Sequence, residues 1–206
     1  MKQAAPLLAL LLFLLQSCRQ DQPLFRLLSS EESGIRFRND IKEDEKFNIM
    51  NYEYIYNGGG VAVGDVNNDS LPDIYFVGNM EPHKLYLNRG NMKFEDVSEK
   101  SGINAIQRWT RGVSMVDINN DGLLDIYVCN ALFQPGKERR NFLYVNQRVD
   151  PKTGIPEYKE MGEAYGLADT SHTHMATFFD YDNDGDLDVY LLVNELVEKY
   201  PGEYRP

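Results

Sequence analysis

The feature that most constrains this chain is that it repeats itself. Three segments align without gaps on an acidic loop: GVAVGDVNNDSLPDIYFV (60–77), GVSMVDINNDGLLDIYVC (112–129) and HMATFFDYDNDGDLDVYLL (174–192). Their leading aspartates, Asp65, Asp117 and Asp180, lie 52 and 63 residues apart. A second motif runs between them. FRLLSSEESGI (25–35), FEDVSEKSGI (94–103) and YKEMGEAYGL (158–167) share an aromatic start, a polar middle and a glycine followed by an apolar residue. A third motif, KLYLNRG (84–90) and NFLYVNQ (141–147), keeps the same place within each unit. Motifs interleaved in this way define units of about 65 residues, and such units bury a core only by stacking on their neighbours.

Each unit reads as β-structure. Residues 61–66 and 74–77 are short runs of β-branched, apolar or aromatic residues around a polar turn, as are 113–118 with 126–129 and 175–181 with 189–193. Runs of this length bounded by turn chemistry are strands. They are nearly continuous in hydrophobicity, which predicts sheets covered on both faces. Residues 85–87 and 142–145 add a third strand. The aromatic-led motif adds a fourth, ending in a helical turn at 98–101 and 162–165. Tyr (13) and Phe (10) supply nearly all of the 12% aromatic content, a bias that favours strands. The expected fold is all-β: a partial β-propeller of about three four-stranded antiparallel blades. Stretches 38–56, 104–111 and 132–140 are connections without an assigned structure.

The acidic loops predict Ca2+ sites. Asp65, Asn67, Asp69 and Asp73 place side-chain oxygens at loop positions 1, 3, 5 and 9. Asp117, Asn119, Asp121 and Asp125 repeat the pattern, as do Asp180, Asp182, Asp184 and Asp188. Hard oxygens converging from alternate positions of one tight turn suit Ca2+, which takes 6–8 oxygen ligands; Mg2+ resists such full dehydration. Position 7 (Leu71, Leu123, Asp186) would offer its backbone carbonyl, with Asp186 adding charge. Gly122 and Gly185 at position 6 allow the positive φ that closes the loop, whereas Ser70 stands there in the first loop. Position 12 is Phe76, Val128 and Leu191 instead of the glutamate of an EF-hand, and it falls inside the next strand. The three-carboxylate first and second loops are expected to bind less tightly than the third, and the first least of all.

Charge narrows the partners. The 32 acidic residues outnumber the 21 basic ones, for a net charge of −11. That balance excludes the cationic footprint of a nucleic-acid-binding surface. At the N-terminus, an apolar run over residues 4–15 is too short to span a bilayer and fits the core of an export signal. It ends in Leu15-Gln16-Ser17-Cys18, which resembles the bacterial lipobox. This predicts cleavage after residue 17, a lipid on Cys18 and a short tether over 18–23 before the repeats at 24–206. The protein would then sit in the cell envelope, lipid-anchored at the outer membrane and facing the periplasm or the surface. Cys129 lies in the apolar run 125–129, where a buried, inert thiol is expected.

These motifs together resemble the FG-GAP/VCBS repeat family. GVAVGDVNNDSLPDIYFVGN, KLYLNRG, FEDVSEKSGI and FFDYDNDGDLDVYLL are most similar to bacterial secreted or lipid-anchored members of the ASPIC/UnbV-type, cartilage-acidic-protein-like group. The resemblance covers roughly residues 24–195. It implies a Ca2+-bearing propeller and carries over the acidic-loop residues as ligands. Members are usually far longer, and a stack of three units leaves edges and an apolar face uncovered. The chain is therefore expected to be the N-terminal part of a longer protein or a truncated gene product, or else to find its remaining blades in an oligomer.

No nucleophile elbow, zinc-protease, P-loop or dinucleotide motif occurs. His172 and His174 suggest at most a metal pair lacking a third ligand, and His83 reads as a turn residue. Trp109, Arg111, Arg139 and Arg140 fit a core edge or solvated positions better than a binding surface. The expected function is non-catalytic: adhesion, or recognition of a protein or glycan. The competing reading is the propeller part of a secreted enzyme whose catalytic portion lies elsewhere.

Overall fold

The computed structural model describes residues 23–52, 54–103, 108–132 and 136–194. Residues 1–17 and Cys18, to which the export and lipid expectations attach, lie outside that set. Among the described residues, strands β1 (Val61–Gly64), β2 (Asp73–Phe76), β3 (Lys84–Asn88) and β4 (Phe94–Asp96) form one antiparallel sheet in the order 1-2-3-4. Strands β5 (Thr110–Val116), β6 (Asp125–Asn130), β7 (Phe142–Val149) and β8 (Pro156–Glu160) form a second sheet in the same order. Strands β9 (Thr173–Phe179) and β10 (Asp188–Val193) pair as a two-stranded third sheet. Among the described residues the chain is nearly all-β, with a four-residue helix α1 (Ser30–Ser33) and one 3-10 turn (Gly136–Arg139).

The sheets stack face to face through their alternating residues. Tyr75, Val77, Leu85 and Leu87 of sheet 1 meet Val113, Ile126, Val128, Phe142 and Tyr144 of sheet 2 in one apolar cluster. Tyr127, Cys129, Leu143 and Val145, on the opposite face of sheet 2, meet Ala176, Phe178, Val189 and Leu191 of sheet 3. Strand β6 is therefore buried at every residue, which is why its sequence shows no polar alternation. The innermost strands approach closely because glycines allow it. A Cβ at Gly60 would lie 3.0 Å from the Arg111 carbonyl oxygen, and one at Gly112 would lie 2.3 Å from that of His174. Met175 stands at the corresponding position of the third unit.

Helical turns follow β4 and β8, as the aromatic-led motif predicts: Ser101 N–H bonds the Val97 carbonyl and Tyr165 N–H that of Met161. The first copy behaves differently. Residues 25–28 form no strand, because among the described residues no third strand lies beside them to pair with. Its turn survives as α1, closed by a reciprocal Ser29–Glu32 capping box and a left-handed Gly34.

Candidate metal centre

Each acidic loop joins the first two strands of its sheet and carries the same backbone framework. Asp65 accepts N–H bonds from Asp69 (3.1 Å) and Ser70 (2.7 Å); Asp117 accepts them from Asp121 (3.0 Å) and Gly122 (2.8 Å). In the third loop the Gly185 N–H reaches Asp180 at 3.2 Å. Position 6 has positive φ throughout: 69° at Ser70, 84° at Gly122 and 92° at Gly185. Position 4 does too, at Asn68, Asn120 and Asn183, with φ of 58°, 55° and 61°. Asparagine recurs at this position in all three loops, and that recurrence is the signal in the sequence, because asparagine tolerates the left-handed region better than other non-glycine residues.

Position 9 differs among the loops. Asp73 and Asp125 are fully buried. Asp73 accepts the Val66 N–H (3.0 Å) and the Asn88 N–H of β3 (2.8 Å). Asp125 accepts those of Ile118 (2.9 Å) and Asn146 of β7 (2.7 Å). Burial pushes both carboxyls up to about 6 against the pull of these N–H groups, and the position 5 and position 1 aspartates add to the rise. Asp188 is exposed and accepts only the Tyr181 N–H (2.8 Å) among the described residues.

Position 3 also differs. Asn67 donates its amide to Asp69 (3.0 Å) and to the Gly154 carbonyl in the β7–β8 turn of the next sheet (3.0 Å), a bond aspartate could not make. Asn68 reaches the Gly122 carbonyl (2.9 Å), which ties the first loop to the second. Asn119 donates to Asp121 (2.9 Å). In both loops an amide N–H therefore partly offsets the position 5 carboxylate. In the third loop position 3 is Asp182, and carboxylate oxygens of Asp180, Asp182 and Asp188 lie within 4.8 Å of one another. Two ligands of one Ca2+ ion lie up to about 5 Å apart, so this cluster fits that ion. Asp184 and Asp186 stand beside it, exposed, with the Asp186 N–H on Asp184 (2.9 Å). Leu71 and Leu123 at position 7 are half-buried and carry no side-chain oxygen, so only their backbone carbonyls suit a cation.

Residues 65–128 match the FG-GAP-like repeat family. That segment carries an FG-GAP-like repeat. It is 28% identical over 152 residues to cartilage acidic protein 1 of Xenopus tropicalis, covering 73% of this chain and 22% of that protein. The mouse (Mus musculus) protein of that name is 29% identical over 133 residues, covering 65% and 19%. The human protein (Homo sapiens) is 37% identical over 76 residues, covering 36% and 12%. The chain thus spans about a fifth or less of the length of these relatives.

Polar contacts lock the repeat units together. His83 is a buried bridge between sheets and not a turn residue. Its Nε2 lies 2.9 Å from the Thr110 hydroxyl, which donates to the Asn130 amide oxygen, and its Nδ1 lies 3.3 Å from the Tyr75 hydroxyl. Thr110 has spent its proton, so Nε2–H donates and Nδ1 accepts from Tyr75. One unit later Asn141 takes the same place, its amide bridging the Tyr127 hydroxyl (3.0 Å) and the Thr173 hydroxyl (3.0 Å). His172 accepts the Leu132 N–H on Nδ1 (3.1 Å), which serves chain packing. Cys129 is a buried free thiol whose burial pushes its pKa up to about 12, as expected of an inert group.

Proposed function

We propose that this chain is a calcium-stabilised, non-catalytic propeller module of the cell envelope that serves recognition or adhesion, its ligand a protein or glycan. The observation that carries the reading is the convergence of Asp180, Asp182 and Asp188 within 4.8 Å on a loop that the chain repeats in three successive units. Three carboxylates held this close repel one another unless a cation joins them. The carboxyls with the most perturbed pKa, Asp73 and Asp125, are fully buried and bonded to backbone N–H on both oxygens. A substrate cannot reach them, which supports a structural role over acid–base catalysis.

Residues Leu15–Cys18 support anchoring through a lipid on Cys18. The outward face of sheet 3 supports a further FG-GAP-like unit as neighbour, from the same polypeptide or a second copy. Tyr190 and Leu192 are exposed there, whereas their counterparts in sheet 2, Tyr127 and Cys129, lie fully buried under sheet 3.

Calorimetric titration of metal-free protein with Ca2+ tests the reading. Binding at roughly 10⁻⁴–10⁻³ M is expected, as in extracellular modules, strongest at the third loop and weakest at the first. Asp182→Ala should remove the tightest site and the calcium-dependent rise in melting temperature. At tenfold saturation that rise corresponds to about 1.4 kcal/mol. No heat of binding and no response to a chelator would refute the calcium reading.

A further inference from the structure

The end of sheet 2 opposite its acidic loop holds a cation that the repeat does not account for. Strand register makes Asp96 and Glu160 equivalent, since Tyr86 faces Asp96 and Tyr144 faces Glu160. In sheet 1 that acid is matched by one cation, Lys84, at 2.8 Å. In sheet 2 Phe142 replaces the lysine, and Arg140 reaches Glu160 instead, at 2.9 Å. Arg108 is then in excess; Tyr56 holds its place in the first unit. The guanidinium carbons of Arg108 and Arg140 lie 5.9 and 5.3 Å from the centroid of the same Phe142 ring.

Glu160 cannot serve both arginines. Its second oxygen accepts the Gly162 N–H at 2.8 Å. Among the described residues no carboxylate lies within ion-pair distance of Arg108, and residues 104–107, Asn-Ala-Ile-Gln, contain none. Arg108 is half-buried, and the Nε atoms of both arginines are shut off from solvent without an acceptor. Both charges also reach one phenol: burial pushes Tyr144 up to about 12, Glu160 adds to the rise, and Arg140 and Arg108 oppose it. Two guanidiniums held on one ring, with Glu160 the carboxylate that serves them among the described residues, keep N–H donors for a further anion.

We propose that Arg108 and Arg140 over Phe142 form a binding point for an oxyanion, a carboxylate or a sulfate group carried by a ligand. The excess charge sits in a chain of net charge −11, so the attraction is local and depends on these two guanidiniums rather than on a broad basic field. Placed at the opposite end of the sheet from the acidic loop, the site is separate from the cation cluster and stands independently of the calcium reading.

The test is a titration of the whole chain, with Ca2+ held constant, by sodium sulfate and by sodium glucuronate against sodium chloride at matched ionic strength. The probe is the Nε–Hε signals of the arginines in a 1H–15N spectrum. Saturable shifts of the Arg108 and Arg140 signals with sulfate or glucuronate, and none with chloride, are expected; the anion that saturates names the ligand class. Arg108→Gln should weaken binding at least tenfold. Arg108→Lys, which keeps charge but loses the guanidinium, should weaken it less. Arg89→Gln, at an exposed Arg89–Glu95 pair, should leave it unchanged. A linear response equal for all three salts overturns the proposal, as does unchanged binding in a folded Arg108→Gln variant.

Discussion

Sheets 2 and 3 carry the same loop sequence pattern and use it differently. In sheet 2 a third strand runs past the loop and gives Asp125 the Asn146 N–H, so the carboxylate is sealed in the core. In sheet 3 no third strand is present among the described residues, and Asp188 stays exposed with a single backbone partner. A ninth-position aspartate is thus a core fastener where the sheet is complete, and a free charge beside two others where it is not.

The largest effect should come from breaking the fastener. Asp125→Ala strands two buried N–H groups, at about 1–3 kcal/mol each, and should cost about 3–5 kcal/mol in urea unfolding with chelator present. Asp188→Ala should cost far less in the same assay. Equal losses would mean that the third strand contributes nothing to the loop.

The next effect lies in the bridge between sheets 1 and 2, where His83 does what Asn141 does between sheets 2 and 3. Burial alone lowers the His83 pKa to about 4 from an ordinary 6.5. The unfolded chain therefore takes up a proton that the folded chain refuses. The contribution of neutral His83 is complete above pH 6.5 and is lost as pH falls toward 4, by on the order of 3 kcal/mol. His83→Asn should keep the bridge and flatten that part of the stability–pH curve relative to the parent. A parallel curve would show that His83 is not the titrating group.

The smallest effect concerns the first loop. Ser70 holds a φ of 69° where the other two loops have glycine. Ser70→Gly should relieve strain of about 1 kcal/mol, partly offset by the greater freedom of the unfolded chain, and should raise calcium affinity at that loop. Gly122→Ser should do the reverse. Melting curves with and without Ca2+ would resolve both.

What the sequence revealed was what the chain settles locally. The apolar runs, the turns and the loop positions follow from residues within ten or so of one another, and most strands fall within a residue or two of their expected places, although β5 starts three residues earlier and β7 runs four residues further. Burial on both faces was legible because β6 has no polar alternation. What stayed hidden depends on partners distant in sequence. His83 looks like a turn residue beside Pro82, and only Thr110, from the next sheet, makes it a bridge. Asn67 reads as a weakened ligand until Gly154 is seen to need its amide. Residues 25–28 carry the motif of a fourth strand and form none, since a strand is made by its neighbour as much as by its own residues.

The turns that follow the fourth strands have a further bearing. A Cβ on Gly34 would collide with the Phe94 carbonyl at 2.3 Å, and one on Gly102 with that of Tyr158 at 2.8 Å, the matching strand of the next sheet. At Gly166, the third in the series, no described atom lies within 4 Å of that point. The unit of duplication in this chain is therefore out of phase with the sheet. A segment copied from one such glycine to the next brings a finished joint for the unit beyond it, like a roof tile made with its overlap. Lengthening the array by copying needs no new interface to be invented, because each copy arrives already cut to receive its successor.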